Sequence, residues 1–526
     1  MSEFIVQISQ GTLKGVALNT VFGEVICFNG IPYAEPPIGD LRFRDPQPPK
    51  IWDGVRDASE EGGVSAQISM VNNQPVGGDD CLYLNVTTKN LSEKKPVMVW
   101  IHGGGFTTGS AGAKLHRPDY FLQHDIVFVS INYRLGILGF LNMNIDCCAG
   151  NQGLKDQVLA LNWVQENIEN FGGDKNNVTI FGESAGGVSI HYLCISPLAK
   201  GLFHKAIIQS AAANNPWAFQ FSNKEYAIKL AAKLGNSSSN PEETVKFLQT
   251  LAAQDIVVAQ KKVFVNKAKV LDFLFVPTVD DNSSNPFLPK PLNETLENGI
   301  DVPVIIGYTS DEGILTLADG DSESDEFYQN CDKTFETDLA SDFKLKSSTL
   351  VCHLSKEVKN YYFKGNPVTK KDQAALIQYK SDVNFVNGIM QMLDIQCQKN
   401  TPTYLYKYSH NPEISLVQMA FNLKVKGACH ADDLTHLFYM TTFNARLQLK
   451  CGTTDYLLME HMTKMWTDFA KTGNPTSSGA VNIKWPPYIS EQKSCLQIKK
   501  DLEIIENFEE ESWKFWKPIL NKYKLF

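Results

Sequence analysis

Val178-Thr179-Ile180-Phe181-Gly182-Glu183-Ser184-Ala185-Gly186 joins a short apolar run to a helix-compatible segment through a G-x-S-x-G pentapeptide. A strand that enters a helix through so tight a turn holds its central serine in a strained backbone conformation, and glycines on either side leave the room this needs. The turn lifts the Ser184 hydroxyl clear of the sheet. Alone, the pentapeptide is a frequent pattern and most matches are ordinary turns. Its weight comes from the sequence around it.

A serine hydroxyl is a poor nucleophile unless a base takes its proton, and the base in turn needs an acid to hold its tautomer. Downstream, the apolar run Val302 to Gly307 ends in Tyr308-Thr309-Ser310-Asp311-Glu312-Gly313, which offers two carboxylates. Further on, the strand-like Tyr404 to Tyr408 precedes Gly427-Ala428-Cys429-His430-Ala431-Asp432-Asp433-Leu434. Nucleophile, acid and base in that chain order, each beyond a strand, is the order of α/β hydrolases. Spacing alone does not choose between Asp311 and Glu312.

A further element, His102-Gly103-Gly104-Gly105-Phe106, follows the apolar run Val97 to Ile101. Three glycines let backbone N–H groups approach a substrate oxygen, so Gly104 and Gly105 are expected to form an oxyanion hole with the N–H of Ala185. One such donor is worth roughly 3 kcal/mol of transition-state stabilisation.

Around these motifs the chain alternates strand and helix. An antiparallel ribbon is expected at the N-terminus, with Phe4 to Ile8, a turn at Gly11, Leu13 to Leu18 and Glu24 to Phe28; a proline-rich loop follows, from Pro36 to Pro49. Val97 to Ile101 and Ile126 to Asn132 are near-continuous apolar runs, as central strands covered on both faces require. Leu154, Val158, Leu161, Val164 and Ile168 recur at helical spacing until Phe171-Gly172-Gly173. Further strands are predicted at Val178 to Phe181, Ala206 to Gln209, Val302 to Gly307 and Tyr404 to Tyr408, with helices over 223–235, 241–253 and 454–471. The region 318–350, rich in Asp, Ser and Lys, reads as a surface insertion. The expected fold is α/β: a mostly parallel central sheet flanked by helices, in one domain over residues 1–526, with ligands at the carboxyl ends of the strands.

The chain resembles the type B carboxylesterases of the cholinesterase-like α/β-hydrolase family, and insect α-esterases most of all. Besides the elbow and the glycine loop, the resemblance rests on Phe28-Asn29-Gly30-Ile31-Pro32-Tyr33-Ala34, Asp79-Asp80-Cys81-Leu82-Tyr83-Leu84-Asn85-Val86, Asn132-Tyr133-Arg134 and Asn151-Gln152-Gly153-Leu154-Lys155-Asp156-Gln157. It implies Glu312 as the acid and His430 as the base for Ser184. It also implies Ser210 as a supporting serine beside them, with Trp217, Leu271 and Phe273 in the acyl pocket; Leu271 in place of a phenylalanine would make that pocket roomier. The implied activity is hydrolysis of apolar carboxylic esters through an acyl-enzyme, with xenobiotic or insecticide detoxification and organophosphate sequestration, or turnover of an endogenous lipid or hormone ester. A non-catalytic adhesion protein on the same fold is the rival from another class.

Two departures from the family refine this. Asp57 to Asp80 contains no cysteine, so the loop disulfide of secreted relatives cannot close locally onto Cys81. The same stretch lacks the tryptophan on which cholinesterases stack a quaternary ammonium, which argues against choline esters.

Composition narrows the partners. With 49 Lys and Arg against 58 Asp and Glu the formal net charge is −9, and no basic stripe tracks phosphates, so nucleic acid is not expected. No apolar stretch is long enough for a membrane span. Neither a signal peptide in Met1-Ser2-Glu3-Phe4 nor a retention tetrapeptide in Asn521 to Phe526 is visible, and 11 scattered cysteines lack C-x-x-C pairs, so a cytoplasmic protein with reduced thiols is expected. The stretch His430 to His436 carries no recognised metal-ligand spacing, so neither metal nor cofactor is expected. Asp433 reads as a structural carboxylate, Cys429 as a packed thiol, His102 as a shaper of the glycine loop, and Arg42, Arg134, Asp79 and Asp156 as internal ion pairs.

Overall fold

The computed structural model describes residues 4–70, 72–264, 269–441 and 449–523. Met1 to Glu3 and Lys524 to Phe526, within the termini read for targeting signals, lie outside the described residues. Among those described, a 13-stranded sheet forms the spine. Its strands are β1 (Phe4–Ile8), β2 (Gly11–Thr20), β3 (Gly23–Pro32), β4 (Val55–Asp57), β5 (Tyr83–Thr88), β6 (Lys95–Ile101) and β7 (Val127–Ile131). They continue with β8 (Gly173–Glu183), β9 (Lys205–Gln209), β10 (Val304–Thr309), β11 (Thr403–Tyr408), β12 (Cys495–Ile498) and β13 (Glu503–Ile505).

The spatial order is β1-β2-β3-β5-β7-β6-β8-β9-β10-β11-β12-β13, with β4 beside β2. From β7 through β12 every neighbour is parallel, while the N-terminal ribbon and β13 are antiparallel. The crossing of β6 and β7 puts the apolar runs around Val97 and Val127 mid-sheet, and nearly every residue of both is buried. The helices covering the sheet include α1 (Gln152–Asn167), α2 (Ala185–Ile195), α3 (Lys224–Lys233), α4 (Pro241–Gln249), α5 (Asp325–Asp342), α6 (Ser348–Phe363), α7 (Gln373–Ser381), α8 (Asn387–Gln396), α9 (Thr454–Thr472) and α10 (Glu511–Tyr523). No described helix is long and apolar enough to cross a membrane.

The region 318–350 is not a surface insertion. It contains α5 and the start of α6, and Tyr328, Phe335 and Leu339 of α5 are buried in the main core. Their spacing places them on one helical face. The acidic and hydroxylic residues between them occupy the wet face and dominate the local composition.

Buried charge is paired as expected. Arg134 Nη2 lies 2.6 Å from Asp156 Oδ1, Arg134 Nε donates to Asp156 Oδ2 at 2.8 Å, and the Arg134 backbone N–H reaches the same oxygen at 3.0 Å. This bidentate pair ties the segment after β7 to α1. Arg42 likewise meets Asp79 at 2.6 Å and donates to the carbonyls of Leu248 and Leu251 at the end of α4. Removing one partner of such a pair leaves an uncompensated buried charge, at a cost of about 3–5 kcal/mol. Asp156→Asn is therefore expected to lower stability by about that amount. Chemical denaturation of the variant beside wild type measures it, and a loss under about 1 kcal/mol would contradict it.

Candidate active site

The site begins where β8 meets α2. Ser184 sits at φ 56° and ψ −126°, a conformation that non-glycine residues rarely adopt. Its N–H donates to the Gln209 carbonyl at 3.0 Å, and its carbonyl receives the Val188 N–H at 2.8 Å. The flanking glycines are there for closeness. A Cβ on Gly182 would stand 2.7 Å from the Ile101 carbonyl oxygen, and one on Gly186 would stand 2.1 Å from the same atom. The end of β6 thus presses directly on the elbow, and Gly103 packs against Glu183 and Ser184 in the same way.

That crowding brings the glycine loop beside the serine. Gly104 has φ 102° and Gly105 φ 60°, both in left-handed territory. A Cβ on Gly105 would overlap the Phe273 ring at 2.1 Å. Among the described residues no carbonyl accepts the N–H of Gly104, Gly105 or Ala185, so three donors are left for an outside oxygen. His102 is buried and shapes this loop: its ring stacks on Tyr133 at 4.5 Å, its Nδ1 lies 2.8 Å from the Gly103 carbonyl, and burial lowers its pKa to about 4.

The carboxylate and imidazole arrive from the ends of β10 and β11. Glu312 is fully buried; its Oε1 accepts the Thr309 N–H at 2.8 Å, and its Oε2 lies 2.5 Å from His430 Nδ1. Asp311 points elsewhere. It accepts the Ala428 N–H at 3.1 Å and the Ser310 hydroxyl at 2.6 Å, while its own N–H donates to the Ala428 carbonyl at 3.0 Å. It therefore braces the two loops against each other. The glycine after Glu312 has its own reason: a Cβ on Gly313 would meet the Ile377 carbonyl of α7 at 2.2 Å, and its N–H donates to Ser381 Oγ at 2.8 Å.

Asp433 is a buried structural carboxylate that accepts from Gln209 Nε2 and Tyr406 Oη, both at 2.8 Å. Ser210 also has positive φ and is buried next to Gln209, with an Oγ that has no hydrogen-bond partner among the described residues. Among the described residues Ser210 makes no hydrogen bond to Glu312 or His430.

A profile of the carboxylesterase family matches residues 2–516. The chain belongs to the carboxylesterase family. Esterase E4 of Myzus persicae is 33% identical over 494 residues, 90% of this chain and 87% of that protein. The juvenile hormone esterase of Tribolium castaneum is 34% identical over 503 residues, covering 91% and 84% respectively. The crystal structure of juvenile hormone esterase from Manduca sexta, with OTFP covalently attached, superposes with a TM-score of 0.87 at 26% identity, covering 99% of this chain and all of that one. The carboxylesterase is thus a serine carboxylic ester hydrolase with the α/β-hydrolase fold.

Two residues beside His430 were not singled out in the sequence. Glu183, the variable position of the pentapeptide, is buried and places Oε1 3.1 Å from His430 Nε2. Phe385 lays its ring 4.7 Å from the His430 ring. It belongs to a π-helical turn, Asp382–Val386, whose neighbouring Asn384 carbonyl accepts Trp217 Nε1–H at 2.8 Å. Trp217 in turn packs at 5.9 Å against both Phe273 and Phe385. Trp217 is buried, with its ring between Phe273 beside the glycine loop and Phe385 beside His430. Leu271 is partly buried against the main core. A π-turn in an otherwise α-helical run was the only available signal for Phe385, and such turns leave little trace in hydrophobic spacing.

The charges are coupled. Burial opposes a charged imidazole on His430, but the carboxylates of Glu183 and Glu312 outweigh it and raise its pKa. Burial also raises the Glu183 pKa while the charged imidazole pulls it down, so a proton on His430 favours the ionised Glu183. Glu183→Gln deletes the charge facing Nε2, so the imidazole loses its proton more easily and the acid-side inflection of kcat/KM is expected to move to lower pH. An unmoved inflection in the pH–rate profile would mean that Glu183 stays protonated across that range and exerts no charge on His430.

Proposed function

We propose that Ser184, Glu312 and His430 form the catalytic triad of an esterase for apolar carboxylic esters. The observation that carries this is the buried Glu312–His430 contact of 2.5 Å beside the strained elbow of Ser184. His430 takes the Ser184 proton as the hydroxyl attacks the ester carbonyl; Glu312 holds the proton on Nδ1 and stabilises the imidazolium. Gly104, Gly105 and Ala185 bind the oxyanion with N–H groups that have no competing acceptor among the described residues. Imidazolium Nε2–H protonates the departing alcohol, and the same nitrogen then activates the water that hydrolyses the acyl-enzyme.

Trp217 and Phe273 form an aromatic wall beside the Gly105 donor, which favours apolar acyl groups. Leu271 is assigned to the same acyl side. We extend the reading to detoxification: an organophosphate phosphorylates Ser184, and the adduct turns over slowly because water is poorly placed for in-line attack. A reducing, cytoplasmic setting is supported by the cysteines, all 11 of which are unpaired. Juvenile hormone esterases among the relatives favour a second substrate class, a hormone or lipid ester.

Purified protein is expected to hydrolyse p-nitrophenyl butyrate, and Ser184→Ala to lose at least about 10³-fold in rate. Equal rates in the two proteins would refute the assignment, and a panel of acyl and alcohol chain lengths ranks the two substrate classes. Excess diethyl phosphoryl ester is expected to remove the turnover in proportion to diethylphosphorylated Ser184, read by mass spectrometry; undiminished turnover would end the sequestration reading.

A further inference from the structure

Apart from the ester site, three side chains from separate elements converge near the segment that carries His430. His410 follows the end of β11, His436 closes the short helical turn Asp432–His436, and Asp455 lies in the first turn of α9. One donor atom from each lies within 4.8 Å of the others. His410 Nε2 is 2.5 Å from Asp455 Oδ1, and His436 Nε2 is 3.5 Å from the same oxygen. We propose that His410, His436 and Asp455 form a structural site for one zinc ion, with water as the fourth ligand.

His410 Nε2 and Asp455 Oδ1 stand at hydrogen-bond distance, so binding exchanges that bond for two bonds to the ion as the donors move apart; the surroundings of the three fit the role. His436 is fully buried and its Nε2 has no hydrogen-bond partner among the described residues, so a desolvated imidazole nitrogen faces the other two side chains. Its Nδ1 lies 3.2 Å from both Tyr408 Oη and Thr435 Oγ1. Thr435 Oγ1 gives its own proton to the Asp432 carbonyl at 2.7 Å, so it is free to accept Nδ1–H, and that tautomer leaves a lone pair on Nε2, as outer-shell partners of zinc-bound histidines do. Asp455 Oδ2 is taken by the Glu413 N–H at 3.1 Å, which turns Oδ1 toward the histidines.

The donor set selects the ion. Two imidazole nitrogens and one carboxylate oxygen suit zinc, whereas calcium and magnesium require oxygen shells. The adjoining cavity of about 30 Å³ is reached by Asp455 but by neither histidine; Glu413, Thr435, Lys450 and Thr453 give its polar lining and Phe438 and Met440 part of its apolar lining, with room for about two waters. That supplies a fourth or fifth ligand but not the open positions and substrate space of an octahedral redox centre. An ion here would pin the end of β11, the segment leading from His430 and the start of α9 to one point.

The test uses the intact protein, stripped with chelator and then titrated with Zn²⁺ in competition with a chromophoric chelator. One equivalent is expected to bind and to raise the melting temperature. His410→Gln and Asp455→Asn are each expected to weaken binding by more than the roughly 10- to 100-fold that loss of an outer-shell partner costs, and to abolish the thermal shift. Both variants should keep p-nitrophenyl butyrate turnover, which shows that they are folded; should Asp455→Asn fail to fold, the more accessible His410→Gln carries the test. Co²⁺ substitution should give visible d–d bands without thiolate charge transfer, and Cys451→Ser, at an exposed thiol in the same stretch, should leave binding unchanged. Absence of stoichiometric uptake by the wild-type protein, or uptake that survives both ligand substitutions, would overturn the proposal.

Discussion

The carbonyl oxygen of Ile101 occupies the space where a side chain on Gly182 or Gly186 would have to be. This contact between the end of β6 and the turn from β8 to α2 sets the geometry of the site. It draws the glycine loop after β6 against the strained serine and places loop N–H groups beside the first N–H of α2. The strain at Ser184 persists because its backbone is held on both sides, by Gln209 and by Val188. Strained conformations of this kind cost of order 1–3 kcal/mol and survive only where the surroundings over-determine them.

The same economy governs the charges. Glu312, Asp433, Asp156 and Glu183 are all buried, yet only the first three are held by well-formed hydrogen bonds. Glu183 is the exception: its Oε1 has only the His430 ring for company. A carboxylate left this lightly supported adjusts by proton uptake rather than by solvation, so the His430 environment is set by a proton balance as much as by position.

Much of this was legible in the chain. The elbow, the glycine loop and the strands that deliver them are local patterns, and the observed β6 to β11 overlap the central strands read from apolar runs, although β7 and β10 start later than predicted. The choice of Glu312 over Asp311 was not contained in spacing; it came from the family resemblance, and the structure gives the reason in the crossed bonds between Asp311 and Ala428. The misreading of 318–350 followed from composition, because the polar face of α5 outnumbers the three residues that bury it. Glu183 and Phe385 matter through contacts across the fold, and the His410–His436–Asp455 cluster draws its members from three stretches with no shared spacing. Such convergence is a property of topology, and a linear pattern does not carry it.

The π-helical turn Asp382–Val386 gives this enzyme a peculiarity of inheritance. One residue of the turn accepts the Trp217 N–H, and the next lies against the ring of His430. With Trp217 assigned to the acyl pocket as proposed, substrate range and reaction rate run through one wall. A lineage that enlarges the pocket at Trp217 releases the Asn384 carbonyl and loosens the support under the histidine in the same step, so new specificities here should arise slowly or begin with compensating changes in the turn itself.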